Sequence, residues 1–350
     1  MKDLGRPTDG GVSEVARREM LMVVRAAARP FACWVCLATV AGCLMLLAGC
    51  SDPPFDPRHL DPWFAAVGGS SANDVYAVGS STIWHYNGRR WVAEDEFSAF
   101  MHGVWAPASN DAYIAWGSPD GGLTGKVYHF DGRAWSVVAS APAALESAWG
   151  TSGRDVYAVG REGWILHYDG NAWSAFNTGR NEWLQGVWGS SPQDVFVSGL
   201  QDSILHYDGA RWTRQYTGAP SSAVWGSSSH DVFTVGGPYI THYDGVSWSP
   251  QSSGTTNNLF GIWGSAPNDV FAVGTNGTIL HYDGSGWSTQ ASGTTGHLYG
   301  VWGSSKYNVF AVGQGAILRY DGTRWSPPIS VPPPPLAPSR AGPARRLTAP

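Results

Sequence analysis

Residues 259–287 read LFGIWGSAPNDVFAVGTNGTILHYDGSGW, and the features of this stretch recur seven times between Trp63 and Trp325. Trp263 and Gly264 close a first apolar run. A second run opens at Asp269 and ends at Gly274, and a third, Ile279 to Tyr282, is followed by Asp283, Gly284 and then Trp287. Asn276-Gly277 is a hairpin signal, because both residues tolerate the positive φ angles of a tight two-residue turn. Asp283-Gly284 supplies a second turn. In the third run, period-2 alternation puts Ile279 and His281 on one face and Leu280 and Tyr282 on the other. Both faces carry apolar residues, as in a sheet packed between two neighbours. The unit therefore reads as four short strands.

The other copies keep this grammar. Measured from Gly68 through Trp105, Trp149, Trp188, Trp225 and Trp263 to Trp302, the spacings are 37, 44, 39, 37, 38 and 39 residues. A unit this short cannot bury both of its faces alone, so seven copies predict a closed array. The expected fold is all-β: a seven-bladed β-propeller over residues 63–331 with four antiparallel strands per blade. Trp63 to Val67 already supplies a first strand, so the ring can close without borrowing one from the other end of the chain, and the sequence leaves the mode of closure open.

The Tyr-Asp-Gly-x-x-Trp turn is similar to the Asp-box of BNR-like propellers, although its tryptophan comes one residue early and the hydroxyl positions are missing. The whole unit resembles bacterial secreted and lipoprotein propellers built on WGSS…DVFAVG…ILHYDG repeats. That resemblance implies an envelope or cell-surface propeller and no particular activity.

The N-terminus reads as an address. Residues 31–49 carry no charge and follow Arg25 and Arg29, the layout of a secretory signal. Leu47-Ala48-Gly49-Cys50 resembles the bacterial lipobox, which implies cleavage before Cys50 and palmitate-type acylation there. An uncleaved span is the alternative that 19 apolar residues allow. Residues 1–49 are thus expected to be a lipoprotein signal peptide, with Met1, Met20 or Met22 as its start. Residues 50–62 form a lipidated cysteine and a proline-rich tether, and Ser51 after the cysteine points to the outer membrane. Residues 332–350 are expected to be a disordered proline-rich tail.

All four cysteines lie at or before Cys50, so disulfides are not expected in the ring. The net charge of −5 gives no basic field for nucleic acid. The histidine series His85, His129, His167, His206, His242 and His281 invites a metal hypothesis, but equivalent atoms on different blades ring the axis and do not converge as zinc ligands must. Hydrogen bonding to the repeated aspartates is the expected role, similar to the His–Asp link within blades of WD-repeat propellers. Asn308 and Arg319 replace both partners together in the seventh copy. Thirteen of the 19 tryptophans occupy two repeat positions, so packing accounts for them.

Function is expected where the repeat breaks. The breaks are the acidic, aromatic segment Glu94, Asp95, Glu96, Phe97, Phe100 and Met101, the inserted loop from Ser118 to Lys126, and the additional aromatics Trp164, Trp183 and Tyr239. These are the candidate partner-binding residues. No catalytic set, cofactor motif or metal-ligand set emerges. The expectation is a monomeric, non-catalytic propeller, tethered through lipid on Cys50, that binds a protein or carbohydrate. An envelope assembly or scaffold factor is the second reading. A carbohydrate-active enzyme using Glu94 or Glu96 is the third.

Overall fold

The computed structural model describes residues 63–96, 100–118, 124–199 and 202–329. The expected signal peptide, Cys50, the tether, the proline-rich tail, Phe97 and most of the inserted loop lie outside the described residues, as do the side chains of Asp95 and Glu96. Among the described residues no helix is long and apolar enough to cross a membrane.

Seven antiparallel sheets follow one another along the chain, each built from consecutive strands. In the sixth blade the strands are Leu259–Ala266, Asp269–Gly274, Ile279–Tyr282 and Trp287–Gln290. Their register sets Trp263, Phe271, His281 and Ser288 in one row across the sheet. The seventh blade has three full strands, and two isolated pairings, Trp325 with Tyr320 and Ile329 with Ile317, stand in the place of its fourth. Each first strand contacts the first strands of both neighbours, which makes these strands the innermost layer of the ring.

Apolar residues of the middle strands pack from blade to blade. Phe271, Val273 and Ile279 of the sixth blade meet Leu298, Val309 and Leu318 of the seventh. Phe310, Val312 and Ile317 of the seventh then meet Phe64, Val75 and Trp84 of the first. Closure is thus side-chain packing of the kind used at the other joints, with one short pairing of Trp63 to Gln314 beside it. Burying a side chain such as Phe271 is worth about 2–3 kcal/mol.

The Trp-Gly pair locks neighbouring inner strands. A β-carbon at Gly264 would lie 2.6 Å from the Trp225 ring and 2.8 Å from the Asp269 carbonyl oxygen, so only glycine fits. The same tryptophan-over-glycine contact recurs up to Trp302 over Gly69, which joins the last blade to the first. One joint lacks it. Where the first blade would offer the tryptophan it has Gly68, and where the second would offer the glycine it has Ala106.

Two kinds of turn give the ring two distinct faces. The lower face carries the turns between first and second strands and between third and fourth strands. The second of these is held by its aspartate: Asp283 Oδ1 accepts hydrogen bonds from the backbone N–H groups of Ser285 and Gly286. The upper face carries the hairpins between second and third strands and the links from each fourth strand to the next blade. In the sixth blade this hairpin turns on Asn276 at φ 56° and Gly277 at φ 66°, which matches the twist of its flanking strands.

Candidate functional site

At the lower face, six histidines meet the first residue of their own second strand. His85, His129, His167, His206 and His242 place Nε2 2.7 Å from the aspartate Oδ1, and His281 lies 2.8 Å from Asp269. A hydroxyl four residues earlier holds the other carboxylate oxygen in five blades, as Thr151 does at Asp155 and Ser265 at Asp269. The second blade has Pro107 at that place and lacks the bond. In the seventh blade Arg319 Nε donates to Asn308 Oδ1 at 2.7 Å.

Serine, aspartate and histidine together invite a hydrolase reading, but the order is wrong for one. The carboxylate stands between hydroxyl and imidazole, so the imidazole cannot take the hydroxyl proton, as nucleophile activation requires. Each imidazole also packs over the aromatic ring beneath it, as His167 does on Tyr157 with centroids 4.0 Å apart. This is a strand tether.

One tether differs. His85 Nδ1 lies 2.5 Å from Glu94 Oε1 while its Nε2 faces Asp74. Burial, the largest influence, works against the cation. The two carboxylate hydrogen bonds outweigh it and raise the His85 imidazole to about 9. Glu94 is therefore engaged within its own blade.

The upper face carries the variety. At the repeat position that follows the Leu259 equivalent, around the axis, the seven blades present Ala65, His102, Glu146, Gln185, Ser222, Phe260 and Tyr299. These residues and their neighbours touch from blade to blade. Phe260 and Tyr299 have ring centroids 5.4 Å apart, Tyr299 and Trp63 5.4 Å, and Trp63 and Phe100 5.9 Å. An aromatic arc thus crosses four consecutive blades. A polar run continues it: His102 lies 3.2 Å from Glu146, Arg161 Nε donates to Glu146 at 2.7 Å, and the Arg161 guanidinium covers the Trp183 ring at 4.5 Å. Burial holds the His102 imidazole below the ordinary histidine range, Arg161 adds to this, and Glu146 opposes it. On the next element Arg214 binds Glu182 and Ser203, and Glu182 Oε2 has no partner among the described residues.

The sequence candidates distribute unevenly over this geometry. Phe100 is 41% exposed and ends the aromatic arc, and Trp183 is 38% exposed and ends the polar run. Tyr239 is 53% exposed but belongs to a separate groove in the fifth blade. Trp164 is half-buried against the core between the second and third blades. Met101 requires correction: it is fully buried in the core between the first and second blades. Its place in the strand matches Leu259, so it has no surface to offer a partner. Lys126, 4.9 Å from the Trp116 ring, marks the base of the inserted loop on the same upper face. His102 closes the acidic, aromatic segment read from the sequence, whereas Trp63, Tyr299, Phe260, Glu146 and Arg161 were not singled out there. The signal was available at one repeat position, where all seven residues differ.

Solved structures share this architecture. A structure of YCF48 bound to D1 peptide matches with a TM-score of 0.60 and 16% identity, over 75% of this chain and 93% of that one. YCF48 from Cyanidioschyzon merolae matches with a TM-score of 0.59 and 14% identity, over 75% and 96%. A chain of the mitotic checkpoint complex matches with a TM-score of 0.59 and 14% identity, over 79% and 92%. At these identities the likeness shows the propeller fold. No protein-family profile matches the chain, and no curated protein matches it in sequence.

Proposed function

We propose that this chain is a non-catalytic, lipid-anchored β-propeller of the bacterial envelope that binds an extended polypeptide segment across the inner rim of its upper face. The observation that carries the reading is the placement of chemical variety. The lower face repeats one tether from blade to blade, while the upper rim presents a different side chain in every blade. Partly exposed aromatic rings and an arginine stacked on one of them are residue types enriched at interface centres. YCF48, of similar fold, was solved with a peptide bound, and another similar chain belongs to a protein assembly. Both support a polypeptide ligand for this fold.

Anchoring through Cys50 fits the same picture. Trp63 immediately precedes the first strand at the upper face, so Cys50 and the rim are thirteen Cα steps apart, with the twelve residues 51–62 between them. Fully extended they span roughly 45 Å. A lipid on Cys50 would keep the rim within reach of membrane-protein segments emerging from the outer membrane. This is also what an assembly or scaffold factor requires.

The test is an array of overlapping peptides from outer-membrane proteins, probed with the wild-type chain and with Trp63→Ala, Phe100→Ala and Asp208→Ala. Peptides that bind the wild type should lose affinity about tenfold, about 1.4 kcal/mol, in the two rim variants and keep it in the lower-face variant. Equal loss in all three would remove the rim from the reading. Flotation of a Cys50→Ala variant with outer-membrane vesicles would remove the lipid.

A further inference from the structure

A groove of about 810 Å³ opens on the upper face at the fifth blade, formed by residues 217–219, 238–241 and 250–256. The sixth-blade hairpin runs Gly274, Thr275, Asn276, Gly277, Thr278, whereas the fifth-blade hairpin runs Gly236, Gly237, Pro238, Tyr239 and is one residue shorter. In the sixth blade Thr278 fills the corresponding corner, bonded to the Thr275 carbonyl and to Asn257. In the fifth, Tyr239 stands there instead, half in solvent.

The groove lining contains no charged residue. Its wall hydroxyls are already committed: Thr241 to Thr234, Thr217 to the Ala219 carbonyl and Ser253 to the Pro238 carbonyl. Tyr239, Gln251, Ser252 and Thr256 also line it, and their side chains make no hydrogen bond within the described chain.

Gln251 is the telling case. Its equivalents Gln215 and Gln290 each accept a hydrogen bond from the fourth-strand tryptophan of the next blade, Trp248 and Trp325, both at 2.8 Å. The fifth blade breaks this rule: Trp287 Nε1 is buried without a partner, and Gln251 is left unengaged beside the groove. An amide with two donors and an acceptor, three hydroxyls and the face of a tyrosine thus converge on a site of ligand size.

We infer that this groove is a binding site for a neutral oligosaccharide. The Tyr239 ring offers an apolar face on which a sugar ring stacks, and Gln251, Ser252 and Thr256 exchange hydrogen bonds with its hydroxyls. The absence of any cation in the lining disfavours phosphate or carboxylate ligands, which need charge-assisted bonds. The site is separate from the aromatic rim, so it stands or falls independently of polypeptide binding there.

The test is calorimetric titration of the folded chain with chitotetraose, cellotetraose and maltotetraose, using wild type, Tyr239→Ala and Gln251→Ala. At least one of the three should bind the wild type at millimolar or tighter affinity and weaken about tenfold in each variant. Tyr239 is exposed and Gln251 unbonded, so neither change should disturb folding, which a thermal melt of each variant checks. No heat with any of the three sugars up to about 10 mM would overturn the inference. So would sugar binding that survives both substitutions, or a groove that takes up peptide in a Tyr239-dependent way.

Discussion

At the lower face six blades repeat a carboxylate–imidazole contact of 2.7 or 2.8 Å, whereas at the upper rim no two blades share a residue at the repeat position that follows the Leu259 equivalent. The tether joins the second and third strands of a blade, and the rim residue belongs to the first, at the opposite face. The tether satisfies half-buried polar groups at the place where the second and third strands meet the lower turns, so each blade needs it. The rim residues satisfy nothing that every blade requires. A fold built from copies separates what it needs from what it merely carries, and ligand chemistry should be sought in the second group.

The sharpest way to break this contrast is to delete one residue from each face. Asp155 is buried and accepts from both Thr151 and His167. Asp155→Ala strands both partners and should cost about 1–3 kcal/mol, read from the urea unfolding midpoint. Trp183→Ala removes a stacking contact with Arg161 on a residue 38% exposed and should cost less than about 1 kcal/mol. The reverse order would move the rim into the scaffold.

A smaller effect sharpens the comparison within the lower face. His85 alone lies between two carboxylates, Asp74 and Glu94, with the Tyr76 ring stacked on it. Its folded value of about 9 lies above the ordinary 6.5. The folded state therefore holds the proton more tightly, and the stabilisation is full below pH 6.5 and lost as pH rises through about 9. Melting temperature measured from pH 6 to 10 for wild type and Glu94→Gln should differ most at the acid end and converge above pH 9. A pH-independent difference would show that Glu94 acts by packing and not by charge.

Much of this architecture was legible in the sequence because each blade reports on the others. The blade count, the four strands per blade and the His–Asp tether all followed from comparing copies, and the joint replacement by Asn308 and Arg319 marked the tether as a pair. What stayed hidden depended on register or contact. Met101 reads as part of a broken linker, yet the register makes it the counterpart of Leu259, which is just as buried. Gln251 is the same residue type at the same repeat position as Gln215 and Gln290, and only geometry shows that its tryptophan is out of reach. His102 and Glu146 each stand unpaired at a register shift of their first strand, a placement that only the strand pairing reveals.

The smallest expected effect concerns a strained residue on the upper face. Glu162 and Gly163 make the hairpin turn that Asn276 and Gly277 make in the sixth blade, with Glu162 held at φ 56°. Left-handed backbone costs a glutamate about 1 kcal/mol, and asparagine tolerates it better. Glu162→Asn should therefore stabilise the chain by roughly 0.5 kcal/mol, whereas glycine would give back part of the gain through a freer unfolded state. Glu162 adjoins Arg161, which links Glu146 to Trp183 across the rim. If the strain is retained for a ligand, the stabilised variant should bind rim peptides less well, which fluorescence titration would read. Gain of stability with unchanged binding would instead place Glu162 among the residues the scaffold merely tolerates, and would shrink the functional rim to the aromatic arc and its neighbouring ion pairs.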